Sequence, residues 1–152
     1  MNKKILITGI PGMGKTTIGN FLSKNNNFTH WDVEKENRID DLLLSKQGNI
    51  VLSWGFVPKD TNIEIIEKLR DNGFDLIWFD GDRDAARREF VERDSKLETE
   101  KFNSQLELLE KQLQRIKDSN VIERLKPRII NTFDSDHKFR NIEDIIEEIL
   151  NV

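Results

Sequence analysis

The chain has 152 residues, a net charge of −4 at pH 7, 36% hydrophobic and 34% charged residues, and no cysteine. Its length suits one domain spanning 1–152 with a real core, and its acidic balance without a Lys/Arg block argues against a nucleic-acid partner. Disulfides and thiolate metal sites are excluded, and no apolar run matches a signal-peptide core or a membrane span, so the cytoplasm is the expected location, with no membrane partner.

The chain opens with an apolar run, Ile5-Leu6-Ile7, that reads as a buried strand. Gly9-Ile10-Pro11-Gly12-Met13-Gly14-Lys15-Thr16 follows, fitting G-x-x-x-x-G-K-[ST] at every fixed position, and Thr17 to Leu22 begins a helical pattern. Strand, glycine-rich turn and helix start come in the order a phosphate-binding loop needs. Glycines let the backbone curl so that successive N–H groups face one anion, and the helix adds its positive dipole end. Backbone amides of Gly12, Met13, Gly14, Lys15, Thr16 and Thr17 are the expected cradle for a nucleoside triphosphate. Lys15 would reach the β- and γ-phosphates and the Thr16 hydroxyl would ligate Mg²⁺.

Phe28-Thr29-His30-Trp31 reads as a second strand ending at Asp32-Val33-Glu34, and residues 33–46 as a helix. Ile50 to Trp54 has the continuous apolar character of a buried parallel strand. Thr61-Asn62-Ile63-Glu64 is a capping box for a helix ending at Asn72-Gly73. Phe74 to Phe79 is the fourth strand, followed by a basic helix over Arg83 to Arg93. A long helix carries Phe102, Leu106, Leu109, Leu113 and Ile116 at four-three spacing; two heptads favour a core-facing or flap-supporting helix over a coiled coil. Pro127 introduces a last strand, Arg128 to Phe133, and Asn141 caps a final amphipathic helix. Alternating strands and helices give an α/β doubly wound sheet of five strands, whose ligands bind beyond the strands' C-terminal ends.

Each strand end then offers a pair of readings. Asp32 and Glu34 either hold Mg²⁺ and take a proton from an attacking hydroxyl, or Asp32 caps the helix after it. After strand three the metal-orienting aspartate of many phosphate-loop enzymes is missing, and Ser53-Trp54 stands there. Ser53 reads as a contact for Mg²⁺-bound water or as a buried strand serine. Trp54, Gly55 and Phe56 read as a stacking wall for a substrate or as core. After strand four, Arg83, Arg87, Arg88, Arg93 and Lys96 are a solvated face or part of a lid whose guanidinium groups close over phosphates, with the lid favoured for one or two of the arginines. His30 and His137 read as structural or surface residues.

These features together resemble the small-molecule kinase branch of phosphate-loop proteins, in particular shikimate kinase and gluconate kinase. The likeness rests on the N-terminal G-x-x-x-x-G-K-T, on Asp32-x-Glu34 beside that family's D-x-D, on Gly81 to Arg88 after strand four, and on Phe102 to Glu110. It implies the three-layer phosphate-loop sandwich with parallel strand order 2-3-1-4-5. It also implies that Asp32 binds or deprotonates the acceptor hydroxyl, and that Arg87 or Arg88 packs on the adenine. Residues 93–101 would form the lid, and Thr132 to Ser135 would border the adenine pocket. The chain departs from shikimate kinases after strand three, where Ser53 to Pro58 replaces a glycine-rich acceptor motif and is similar to the D-G-F-P of adenylate kinases, with Trp54 in place of the aspartate. Arg38 and Arg115 read as surface residues or as contacts for an anionic acceptor, with the surface reading favoured.

The expectation is an ATP- and Mg²⁺-dependent kinase, monomeric or homodimeric, acting on a small hydroxyl-bearing metabolite. Lys15, Asp32, Arg87 and Arg88 carry its catalysis. Arg88 and Thr132 join the loop in holding ATP, and Thr16 and Asp32 hold the metal. Asp32, Glu34, Arg38, Trp54, Gly55 and Phe56 bind the acceptor. Two alternatives stand beside it. Stacking by Trp54 and Phe56 would favour a nucleoside or nucleoside-monophosphate kinase, and the missing strand-three aspartate would favour an ATP-binding regulatory module without efficient transfer.

Overall fold

The computed structural model describes residues 3–10, 13–33, 48–55, 59–81, 99–118 and 120–151. Five strands, β1 (Lys4–Gly9), β2 (Phe28–Asp32), β3 (Asn49–Ser53), β4 (Asp75–Asp80) and β5 (Arg128–Asn131), form one sheet in the order β2-β3-β1-β4-β5. Every neighbouring pair is parallel, as expected. Five helices accompany them among the described residues: α1 (Lys15–Asn25), α2 (Asp60–Asp71), α3 (Thr99–Asp118), α4 (Val121–Leu125) and α5 (Ile142–Leu150).

Burial along the strands shows why the sheet is parallel and inside. Successive residues of β1, β3 and β4 are buried without alternation, so both faces of the central strands are covered. The edge strands β2 and β5 are only partly buried. Trp78 and Phe79 on β4, with Leu6, Ile7 and Leu52, anchor the core. Leu109, Leu113 and Ile116 of α3 are buried in it, which is the core-facing helix rather than the coiled coil. Ile145, Ile146 and Ile149 of α5 face the core as well. Asn141 caps α5, its Oδ1 accepting the Glu143 N–H at 2.8 Å.

Two details differ from the sequence reading. α2 starts at Asp60 rather than behind a Thr61 cap, and Lys59 stands at its N-cap without a side-chain bond. The Asp60 carboxylate suits the positive end of the helix and also bridges to Arg124 of α4 at 3.1 Å, so the start moves back into the favourable charge. The short α4 was not anticipated. It is held from outside, where Arg70 of α2 donates to the Leu125 carbonyl at 2.9 Å. The helices expected over 33–46, beyond Val33, and over Arg83–Arg93 lie outside the described residues, as does the lid segment up to residue 98. Residues 99–101, its last part, are the first turn of α3. Among the described residues no helix is long and apolar enough to cross a membrane.

Candidate functional site

Parallel strands bring all five carboxyl ends to one edge of the sheet, and α1 begins there. The chain turns out of β1 at Gly9, with φ +131°, where a Cβ would overlap the Phe79 carbonyl oxygen of β4. Only glycine allows that approach, and Ile10 N–H then donates to the same oxygen at 3.1 Å. The turn closes at Gly14, φ +90° and left-handed, which is the N-cap of α1. No side chain caps this helix and no acidic residue stands in its first turn. A helix's first N–H groups have no intrahelical partner, so such a terminus is suited to an anion.

Lys15 lies half-buried, and its Nζ donates to the Ile10 carbonyl at 2.9 Å, across the curl of the loop. The cation is therefore held at the mouth that the first-turn amides face. Thr16 and Thr17 are exposed at the same helix start. Met13 is fully buried beneath the loop, where its sulfur sits 3.8 Å from the Thr132 Oγ1. Thr132 is itself buried at the end of β5, and its N–H donates to the Asp80 carbonyl at 3.1 Å.

On the β4–β5 side the wall is aromatic. A bridge between Phe133 and Phe139 folds the segment after β5 into a hairpin, with the two rings edge-to-face at 5.6 Å. The Phe139 ring lies on Gly14, where a Cβ would come within 2.7 Å of it. Phe133 packs beside Gly81 and Met13. Arg140 pins the hairpin, donating to the Asn131 carbonyl at 2.6 Å and pairing with Glu148 of α5 at 2.9 Å. Phe133 falls within the Thr132 to Ser135 segment expected at the adenine side, whereas Phe139 was not anticipated. Gly14 was the one clue, since a loop glycine leaves room for a ring above it.

On the β2–β3 side the wall is polar. Asp32 ends β2 in register with Ser53, which is in register with Ile7 of β1. Asp32 is half-buried, two strands from the strand that feeds the loop. Ser53 is buried, with its hydroxyl 2.7 Å from His30 Nε2, while His30 Nδ1 is 2.9 Å from Asn20 Oδ1 on α1. His30 is thus a structural residue of the interior edge. Trp54, 9% exposed, belongs to the hydrophobic core, and its backbone ties the end of β3 to β1. Its N–H donates to the Ile7 carbonyl at 3.0 Å and its carbonyl accepts from the Thr8 hydroxyl at 3.0 Å. Gly55 is half-buried next to it. Arg115 is exposed on α3, and His137 is exposed in the hairpin turn.

The edge therefore gathers Met13, Gly14, Lys15, Thr16, Thr17, Asp32, Gly55 and Thr132. Gly12, Glu34, Arg38, Phe56, Arg87 and Arg88 lie outside the described residues. Among the described residues, no group of three or more His, Asp or Glu side chains is placed to hold a metal ion alone. The donors on offer at this edge, the Thr16 hydroxyl at the start of α1 and the Asp32 carboxylate at the end of β2, fit a magnesium ion that takes most of its ligands from phosphate and water.

No protein-family model and no curated protein sequence matches the chain. Solved structures do. A gluconokinase from Sinorhizobium meliloti 1021 matches with a TM-score of 0.59 at 15% identity, over 97% of this chain and 89% of that one. A shikimate kinase from Bacteroides thetaiotaomicron matches with 0.59 at 16%, over 99% of both chains. Shikimate kinase from Acinetobacter baumannii, in complex with shikimate, matches with 0.59 at 15%, over 99% of this chain and 94% of that one. With the strand order and the loop between β1 and α1, these likenesses show that the chain has the fold of the phosphate-loop small-molecule kinases.

Proposed function

We propose that the protein is an ATP-dependent phosphotransferase that phosphorylates a hydroxyl group of a small metabolite. The observation that carries this reading is the uncapped N-terminus of α1 behind a left-handed glycine, with the Lys15 ammonium held across the loop. ATP supplies the transferable phosphoryl group, and Mg²⁺ neutralises its oxygens.

The chain's own residues position and stabilise. Backbone amides from Gly12 to Thr17 hold the phosphates, and Lys15 exchanges its carbonyl partner for them as charge develops. The Thr16 hydroxyl holds the metal, with Asp32 assisting through water. Asp32 orients the acceptor hydroxyl and takes its proton. Arg87 and Arg88 close over the phosphates and the base, and Thr132 borders the base side behind Met13. Glu34, Arg38, Gly55 and Phe56 are the proposed acceptor contacts, and catalysis is mainly positioning and charge stabilisation. The cytoplasm, where ATP is abundant, is the proposed location.

The burial of Trp54 weakens the nucleoside-kinase alternative, because an indole inside the core is not offered for stacking. The serine at the end of β3 keeps the second alternative, a nucleotide-binding module, in play.

The test is ADP release from Mg·ATP against hydroxy acids, sugars, nucleosides and nucleoside monophosphates. The expected result is turnover that needs one acceptor class and vanishes in both Lys15→Ala and Asp32→Ala. Turnover untouched by Asp32→Ala overturns the role of that residue. ATP binding with no acceptor-stimulated release favours the module.

A further inference from the structure

Ser53 closes β3 at the site edge, one strand from Asp32 and one from Ile7, at cross-strand spacings of about 5 Å. Its side chain is almost fully buried, and it ends a chain of three polar side chains from three elements, Asn20, His30 and Ser53. The Asn20 amide oxygen can only accept, so His30 Nδ1, 2.9 Å away, carries the imidazole proton. When the imidazole is neutral, Nδ1–H leaves Nε2 as an acceptor, and the Ser53 hydroxyl, 2.7 Å away, then donates to it. The proton of Ser53 is thereby committed to His30, and the remaining lone pairs of its oxygen can only accept.

The chain has made room for this arrangement. A Cβ at residue 19 of α1 would sit 2.5 Å from His30 Nε2, so Gly19 is what lets the ring reach between helix and sheet. Asn20 follows Thr16 by four residues and so lies one helical turn behind it on the same face of α1. The chain Asn20–His30–Ser53 therefore runs from the helix that carries the proposed metal ligand to the strand end where a carboxylate commonly accepts from metal-bound water.

We infer that Asn20 and His30 are positioning residues that fix the Ser53 oxygen as a neutral acceptor for a water on the nucleotide's Mg²⁺. This rests on the proposed reading of the loop as a triphosphate site. Neighbouring hydrogen bonds polarise one another, so the donated proton makes the Ser53 oxygen a better acceptor than an isolated serine.

Calorimetric titration of ATP, with excess Mg²⁺ and with EDTA, tests this on wild type, Ser53→Ala, His30→Ala, His30→Gln and Asn20→Asp. Wild type is expected to tighten with Mg²⁺. Ser53→Ala and His30→Ala should lose about tenfold of that gain, the size of one well-made neutral hydrogen bond, while Mg²⁺-free affinity stays within about twofold. Asn20→Asp places a carboxylate on Nδ1 and favours the imidazolium, whose Nε2–H would donate to Ser53, so it should lose the gain, and His30→Gln, which still offers an acceptor, should restore part of it. Thermal melts identify any variant that does not fold, and His30→Gln and Asn20→Asp then carry the comparison. A wild-type Mg²⁺ gain in both alanine variants overturns the inference, as does equal weakening with and without Mg²⁺. If Lys15→Ala binds ATP as well as wild type, the triphosphate reading itself fails and takes this inference with it.

Discussion

On the β2–β3 side of the phosphate loop, α1 meets the sheet through Gly19 and the His30 ring, which two hydrogen bonds lock in place. On the β4–β5 side, the loop meets the hairpin through Gly14 and the Phe139 ring, which rests on Phe133 and is 37% exposed. Each side uses a glycine to admit a ring, and the two rings differ in what holds them. The polar side orders Asn20, His30 and Ser53 in one hydrogen-bonded chain and suits the part of a transfer site where charge is made and moved. The apolar side specifies only shape and suits a flat, uncharged part of a ligand. One glycine-rich segment thus separates electrostatic work from packing work.

Alanine substitution separates the two sides. Gly9→Ala should be the most damaging, because backbone meets backbone and neither can yield. We expect a loss of about 3 kcal/mol or more in denaturant unfolding. Gly19→Ala should follow at about 2–3 kcal/mol, since the His30 ring cannot leave without stranding the buried Ser53 hydroxyl. Gly14→Ala should cost about 1–2 kcal/mol, part of it from the left-handed backbone and part from the ring. Adding Phe139→Ala should recover only the ring's part, whereas His30→Ala should not relieve Gly19→Ala. A double-mutant cycle reads both, and equal recovery on the two sides would erase the distinction drawn here. Asn141→Ala, which removes the cap of the helix behind the hairpin, should cost about 1 kcal/mol and leave both rings unmoved.

What the sequence made legible follows the same division. The strand, loop and start of α1 are contiguous, so spacing alone identified them, and Asn141 announced α5 through a local bond two residues long. The resemblance carried the strand order. The polar wall was out of reach because Ser53 meets His30 only through the β2–β3 register, which pairs His30 with Val51. Phe139 over Gly14 joins residues at opposite ends of the chain, and no periodicity reports such a contact. Trp54 was ambiguous for a different reason, since apolar pockets and cores draw on the same residues and only burial tells them apart. The capping box at Thr61 was a true local pattern, overridden by the better charge position of Asp60.

On the proposed reading, the segment from Gly9 to Thr17 grips a chain of phosphates. Its most direct test is an affinity ladder of adenosine, AMP, ADP and ATP, measured by calorimetry in Mg²⁺ on wild type and Lys15→Ala. Affinity should climb with each added phosphate in wild type, with the largest step beyond AMP, and the ladder should flatten at its upper steps in Lys15→Ala. Adenosine binding as tightly as ATP, or a ladder indifferent to Lys15, would contradict it.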